Sequence, residues 1–204
     1  MKHLTLLLLL SCISLFAQET AKKQYFFNEK DIAIDKSAFI KKGKDPKHTY
    51  IPHIIENDTA IIGNLYIREE TGVMSQADRQ NIIKNLEALT NKKVSETQTI
   101  VIDFFCIPTP RDSYKDFFAR YVNNNTYNRF FKKNENDFIH FFISQKGYTP
   151  EKFYEDKNEY FQKLFLNYID GSNHYIIIKP NGHFLRRLSE HRQDEIIDKA
   201  KGDW

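Results

Sequence analysis

The chain has 204 residues, 41% of them hydrophobic and 28% charged, with 17 Phe and 11 Tyr. That is long enough for one well-buried domain plus an extension, and too rich in large apolar side chains for a disordered chain. Its 30 basic and 27 acidic residues nearly balance and are interleaved, so electrostatics give no reason to expect nucleic acid as a partner.

The N-terminus reads "MKHLTLLLLLSCISLFAQE". Lys2 precedes an apolar run, Leu4 to Leu10, that continues more weakly to Phe16, and Ala17-Gln18 offers a cleavage junction. This is the pattern of a secretory signal over residues 1–17, too short for a comfortable transmembrane helix. A competing pattern makes Leu9-Leu10-Ser11-Cys12 a lipobox with a lipid anchor on Cys12. Against it, the residues after Cys12 stay apolar where a lipoprotein tether is polar. No other stretch is apolar enough to span a membrane. An exported protein, periplasmic or secreted, is expected. With Cys12 in the signal, the mature chain keeps Cys106 as its one thiol, which leaves no intramolecular disulfide and no dithiol cycle within a single chain.

Residues 18–57 are mixed, with some period-two alternation in "DIAIDKSAFIKK" and a breaker loop in "GKDPKH". They predict an N-terminal extension carrying one or two short strands. A regular pattern follows over residues 58–204. "TAIIGNLYIREE" predicts a strand, and Ser75-Gln76-Ala77-Asp78 predicts a helix cap ahead of Ile82, Ile83, Leu86 and Leu89. "TIVIDFF" is apolar on both faces except for Asp103, as a central parallel strand should be. Thr109 and Pro110 suit a helix start, and Tyr114, Phe117, Phe118, Tyr121 and Val122 fall on one face of that helix. The Asn-rich stretch 123–136 predicts a loop insertion. "DFIHFFIS" predicts another buried strand. Thr149-Pro150 predicts the start of a long helix with Phe153, Tyr154, Tyr160, Phe161, Leu164 and Phe165 as its stripe. "HYIIIKPNGHFLRRLSE" predicts a hairpin turning at Lys179-Pro180-Asn181-Gly182 with Ile178 opposite His183, and "RQDEIIDKA" a closing helix.

The order from residue 59 is β-α-β-α-β-α-β-β-α, and with it the chain resembles the thioredoxin-like superfamily. Two local features carry the resemblance besides order: "VIDFF", with an acid ahead of aromatics in a buried strand, and "HYIIIKPNGHFLRRL", a hairpin that feeds a C-terminal helix. The resemblance implies an α/β fold with an N-terminal extension. It also implies a C-x-x-C at the helix start, and there the chain departs. By spacing from Asp103 the two thiols would stand at Thr109 and Asp112, where the sequence is Thr109-Pro110-Arg111-Asp112. A family proline before the last hairpin is likewise replaced by Gly171-Ser172-Asn173-His174.

The candidate site residues are Cys106 and Asp103 for catalysis, and Thr109 and Arg111 for ligand binding. Cys106 reads either as a monothiol near a helix start or as a small core residue on the face of Ile100, Ile102 and Phe104. Asp103, if buried, requires a raised pKa or a cationic partner. Arg186, Arg187 and Arg192 could join Arg111 around an anion, although neighbours in a strand face opposite ways. No histidine lies at a recognised metal spacing, and the glycine signatures of nucleotide sites are absent, so neither metal nor cofactor is expected. The expected function is an exported thioredoxin-like module without dithiol redox activity that binds an unidentified protein or small molecule. The alternative is a thiol-dependent redox enzyme using Cys106.

Overall fold

The computed structural model describes residues 22–108, 114–168, 170 and 172–204, with the backbone alone over 114–117. Thr109, Pro110, Arg111 and Asp112, the signal over 1–17, Cys12 and Gly171 lie outside the described residues. The chain divides after Tyr66 into two units.

The first unit holds β1 (Lys23–Phe27), β2 (Ala33–Ile34), α1 (Lys36–Gly43), β3 (Tyr50–Glu56) and β4 (Ala60–Ile67), with sheet order β2-β1-β4-β3. Asp35 starts α1 because its carboxylate accepts the Ala38 N–H at 2.8 Å. A small core gathers Phe26, Phe39 and Leu65, the two rings 4.9 Å apart. Gly63 is dictated by closeness: a Cβ there would stand 2.7 Å from the Phe26 ring.

The second unit holds β5 (Glu69–Val73), α2 (Gln76–Thr90), β6 (Thr99–Phe105), α3 (Tyr114–Val122), α4 (Asn125–Lys133), β7 (Phe138–Ser144), β8 (Tyr154–Glu155), β9 (Asn173–Ile178), β10 (His183–Arg187) and α5 (Gln193–Lys201). Its sheet runs β5-β10-β9-β6-β7-β8. β6, β7 and β8 are parallel, while β9, β10 and β5 alternate antiparallel from β6 outward. The fold is mixed α/β. Every residue of β6 is buried, so it is the central strand its continuous apolar run predicts. Strand alternation sends Val101, Asp103 and Phe105 to one face, against α3, α4 and α5. Ile100, Ile102 and Phe104 go to the other, where Phe104 stacks on Phe165 at 5.2 Å. No helix among the described residues is long and apolar enough to cross a membrane.

Five expectations change. The extension at 18–57, expected to carry one or two short strands, holds β1, β2, β3 and the helix α1. The single strand at 59–70 is two: β4 pairs with β1, whereas β5 joins the second sheet, its Glu69 and Glu70 opposite Arg187 and Arg186. In that register the opposite charges form ion pairs across the strands, Glu70 with Arg186 and Glu69 with Arg187. The Asn-rich loop contains α4. Asn124 caps it, accepting from Thr126 and Tyr127 N–H groups, and Tyr127 and Phe131, one helical turn apart, are buried.

The long helix predicted from Thr149 does not form. Its backbone turns at Lys152 and Glu159, both at positive φ, and Asp156 takes the Tyr160 and Gln162 N–H groups at 2.9 Å each. Phe153 packs on Phe105 on one sheet face and Phe165 on Phe104 on the other, which one straight helix could not do. Tyr154 and Glu155 form β8 on the far edge instead. Finally, the β9–β10 turn is one residue tighter in register than predicted. Lys179 N–H donates to His183 and Ile178 faces Phe184. Gly182, at φ +87, closes it 2.9 Å from the Met74 N–H, where a Cβ would meet the Met74 carbonyl.

Candidate functional site

Two polar clusters sit at the end of β6, one on each face of the sheet. On the Phe104 face is Cys106, just past the strand and fully buried. Antiparallel pairing places His174 of β9 opposite Phe104, on the same face as Cys106. The Cys106 Sγ lies 3.3 Å from His174 Nε2. Phe104, Phe165 and Tyr168 surround the imidazole with rings 5.5–6.3 Å away. Asp170 reaches toward the same nitrogen at 3.9 Å while accepting both the Ser172 N–H and its hydroxyl.

The hydrogen positions on His174 follow from its partners. The Ser189 backbone N–H, which can only donate, points at Nδ1 at 2.8 Å. Nδ1 therefore carries a lone pair, and in the neutral ring the hydrogen is on Nε2, facing the sulfur, the Asp170 carboxylate and the Tyr168 carbonyl at 3.2 Å. Burial drives the same way, holding the His174 pKa down to about 4 against the opposing pull of Asp170. Two consequences follow. His174 is neutral at pH 7, and its one lone pair, on Nδ1, is taken up by the Ser189 amide and turned away from the Cys106 proton. Cys106, Asp170 and His174 also bring three donor atoms within 4.8 Å of one another, the spacing of a tetrahedral cation site. Ligation needs the Nε2 lone pair, and in this arrangement that atom holds a hydrogen, so the geometry does not fit a metal.

On the opposite face is Asp103, completely buried. Among the described residues its bonds include no cationic partner. Tyr121 of α3 donates to Oδ1 at 3.0 Å and Tyr127 of α4 to Oδ2 at 2.7 Å. Burial raises its pKa to about 7, although both hydroxyls pull it down. Tyr121 also lies 2.9 Å from Nε2 of His191, and Asn173 Nδ2 lies 3.2 Å from that nitrogen. His191 Nδ1 faces the Ser189 carbonyl at 3.1 Å. Burial lowers the His191 pKa to about 3. A cleft of about 480 Å³ opens here, lined by Arg120, Tyr121, Asn124, His191, Arg192 and Gln193 among others.

One residue joins the clusters. Ser189 gives its N–H to His174 on one face and its carbonyl to His191 on the other, and it sits at φ +63, in the left-handed region that a serine adopts at a cost. The hydrogen-bonded chain thus runs Tyr127–Asp103–Tyr121–His191–Ser189–His174–Cys106.

The structure places the two proposed catalytic residues, Asp103 and Cys106, on opposite faces, so they do not form one site. Thr109 and Arg111, proposed for ligand binding, lie outside the described residues. The anion cluster does not assemble from the others. Arg186 pairs with Glu70, Arg187 with Glu69 at 3.4 Å, and Arg192 with Asp194. The two strand arginines are not on an edge, because β5 covers β10. Sequence reasoning missed Tyr121, Tyr127, His174, Asp170 and His191 as partners. One signal was present: a buried acid without a lysine nearby needs hydroxyl donors, and the tyrosines of the following helices supply them. Compared with known proteins, the chain matches no family model, no curated protein and no solved structure.

Proposed function

We propose that this is an exported binding module on a thioredoxin-like scaffold that does no dithiol chemistry. The observation that carries the reading is the state of its one mature thiol: Cys106 is fully buried against a histidine held neutral by the Ser189 amide. A redox thiol must reach its substrate, and this one has no exposed surface. The scaffold reading draws support from β6, where Asp103 precedes two aromatics, and from the β9–β10 hairpin feeding α5. The turn-rich segment between β7 and β9, where that order has a helix, is a departure from it. Export draws support from the apolar run behind Lys2. The cleft beside Tyr121 and His191 is the binding surface we favour, since it pairs an aromatic floor with Asn124 and Gln193 amides.

A second reading, a thiol enzyme using Cys106, has one observation in its favour. An Nε2–H aimed at the sulfur from 3.3 Å would stabilise a thiolate once formed. Thiol titration separates the two. The folded protein should react with a disulfide-exchange reagent only as fast as it unfolds. Rapid labelling of the native protein, with a thiol pKa well under about 8.5, would sink the binding-module reading in favour of the enzyme.

A further inference from the structure

Counting hydrogens along the Asp103 face gives a result that does not depend on what occupies the cleft. The Ser189 carbonyl can only accept, so His191 Nδ1 carries a hydrogen. In a neutral ring Nε2 is then an acceptor, aimed at Tyr121 from 2.9 Å. Asp103 Oδ1 faces the same hydroxyl from 3.0 Å. Tyr121 has one hydrogen, so one of its two short contacts, to the carboxylate or to the imidazole, is left without one, even where Asn173 Nδ2 donates to Nε2 from 3.2 Å. Tyr127 has its own bond to Oδ2 and cannot help.

One extra proton resolves the conflict, in either of two ways. Asp103 can be protonated on Oδ1 and donate to the Tyr121 oxygen, whose own hydrogen goes to His191 Nε2. Or the carboxylate accepts from Tyr121, while a doubly protonated His191 donates to the Tyr121 oxygen. A concerted shift of two hydrogens interconverts them: the O–H bonds of Asp103 and Tyr121 break as an O–H at Tyr121 and an N–H at His191 form. Nothing is gained or lost overall. Asn173 Nδ2, aimed at Nε2, favours the first form.

We propose that Asp103, Tyr121 and His191 are a proton-sharing site that holds a single proton between them and exchanges it with solvent through the cleft. Asp103 itself has no exposed surface, whereas Tyr121 and His191 line the cleft, so the hydroxyl and the imidazole are the route in and out. The surrounding charges fit a proton kept on the carboxyl side. Arg187, Lys199 and His174 act on His191 and oppose charge there. Toward the sheet, Tyr175 of β9 stands beside Asp103, its hydroxyl 3.4 Å from Glu195 of α5, with Glu69 of β5 also acting on it. On the α4 side, His140 of β7 lies 5.6 Å from the Tyr127 ring and is itself held neutral by burial. Arg120, Arg192 and Asp194 stand at the cleft mouth.

The test is a pH titration of the folded, isotopically labelled protein, following the Asp103 carboxyl carbon and the His191 ring nitrogens by NMR. Both signals should move together with one midpoint about three pH units above an ordinary aspartate, and His191 should keep its Nδ1 hydrogen throughout. Asp103→Asn should abolish the His191 response. Tyr121→Phe should leave an elevated Asp103 midpoint but uncouple the two signals. An Asp103 midpoint below about 5, or a His191 that titrates alone as an ordinary imidazole near 6.5, would overturn the proposal. Coupling that survives Tyr121→Phe would overturn the route. Should either variant not fold, the wild-type titration decides by whether its two midpoints coincide.

Discussion

The two faces of the sheet at the end of β6 hold similar ingredients: an acid from β6 or the thiol just past it, and a histidine held through Ser189. They differ in what the backbone leaves undecided. On the Cys106 face, the Ser189 amide settles the tautomer of His174 and puts its one ring hydrogen on Nε2. On the Asp103 face, the Ser189 carbonyl settles only half of His191, and the Tyr121 hydroxyl is left between two acceptors. The first arrangement makes a closed contact. The second makes a group whose protonation is linked to the fold. The N–H of one residue and its carbonyl thus hold His174 and His191, on opposite faces of the sheet, in opposite tautomers.

The largest effect should come from emptying the Asp103 face of its carboxyl. Asp103→Leu takes the acceptor from the buried Tyr127 hydroxyl and leaves Tyr121 with His191 Nε2, at roughly 1–3 kcal/mol for an unsatisfied buried group. We expect about 2 kcal/mol or more of lost stability in urea unfolding at pH 6, with Tyr127→Phe added on top restoring much of it. A loss under about 1 kcal/mol would mean the tyrosines find other partners and the contrast between the faces is overdrawn.

Next in size is the pH dependence, where the buried histidines oppose Asp103. His140 and His174 fall to about 4 and His191 to about 3 in the folded state. Unfolded histidine titrates near 6.5, so their contribution is fully present above that pH and is lost as pH falls toward 4. Asp103 is raised to about 7. Its contribution is present below the unfolded value of about 3.9 and is lost as pH rises toward 7. Three groups outweigh one, so stability should climb from pH 4 to 6.5 and then slip slightly up to 7. Asp103→Asn mimics the protonated acid, so it should steepen the climb and remove the slip. Denaturation midpoints across that range measure both.

Much of this scaffold was legible in the sequence, for reasons that also explain what was not. β6 declared itself because both of its faces are buried, and α2 because Ser75 caps it ahead of a 3.6-residue apolar period. The segment after Thr149 misled because its aromatics happen to fall at helical spacing while serving two faces of the sheet. Asparagines in a row look like a loop, yet Asn124 is a cap and Asn128 holds the Val122 carbonyl. The site was half legible. Asp103 stood out as a charge in an apolar strand, and its burial with a raised pKa was foreseeable. Its partners were not, because they come from helices whose docking the local pattern does not record. His174 against Cys106 depended on β9 lying antiparallel beside β6, a pairing across 68 residues.

A smaller effect is expected on the closed face. Cys106→Ala removes a sulfur that packs in the core and accepts one weak bond from Nε2–H, which still has the Tyr168 carbonyl and Asp170 to face. The cost should be about 1 kcal/mol, the order of a lost small apolar group. His174→Ala is the control, since it deprives the Ser189 amide of its acceptor and opens a ring-sized hole; it should cost several times more. Equal costs would indicate that the sulfur, not the imidazole, organises that face.

The smallest change tests the join itself. Ser189 links the faces through its peptide groups, not its side chain, so Ser189→Gly keeps both bonds. It removes the hydroxyl that helps to hold the Asp170 carboxyl below its ordinary pKa, alongside Ser172 and His174, against the opposing effect of burial. It also relieves a side chain held at φ +63, which glycine adopts without penalty. Against that relief stands the greater freedom of glycine in the unfolded chain, worth about 0.5–1 kcal/mol. The terms nearly cancel, and stability should move by under about 1 kcal/mol in either direction, with the coupled Asp103–His191 titration unchanged. A large loss of stability, or a shifted His191 midpoint, would show that the serine side chain and not the peptide makes the connection.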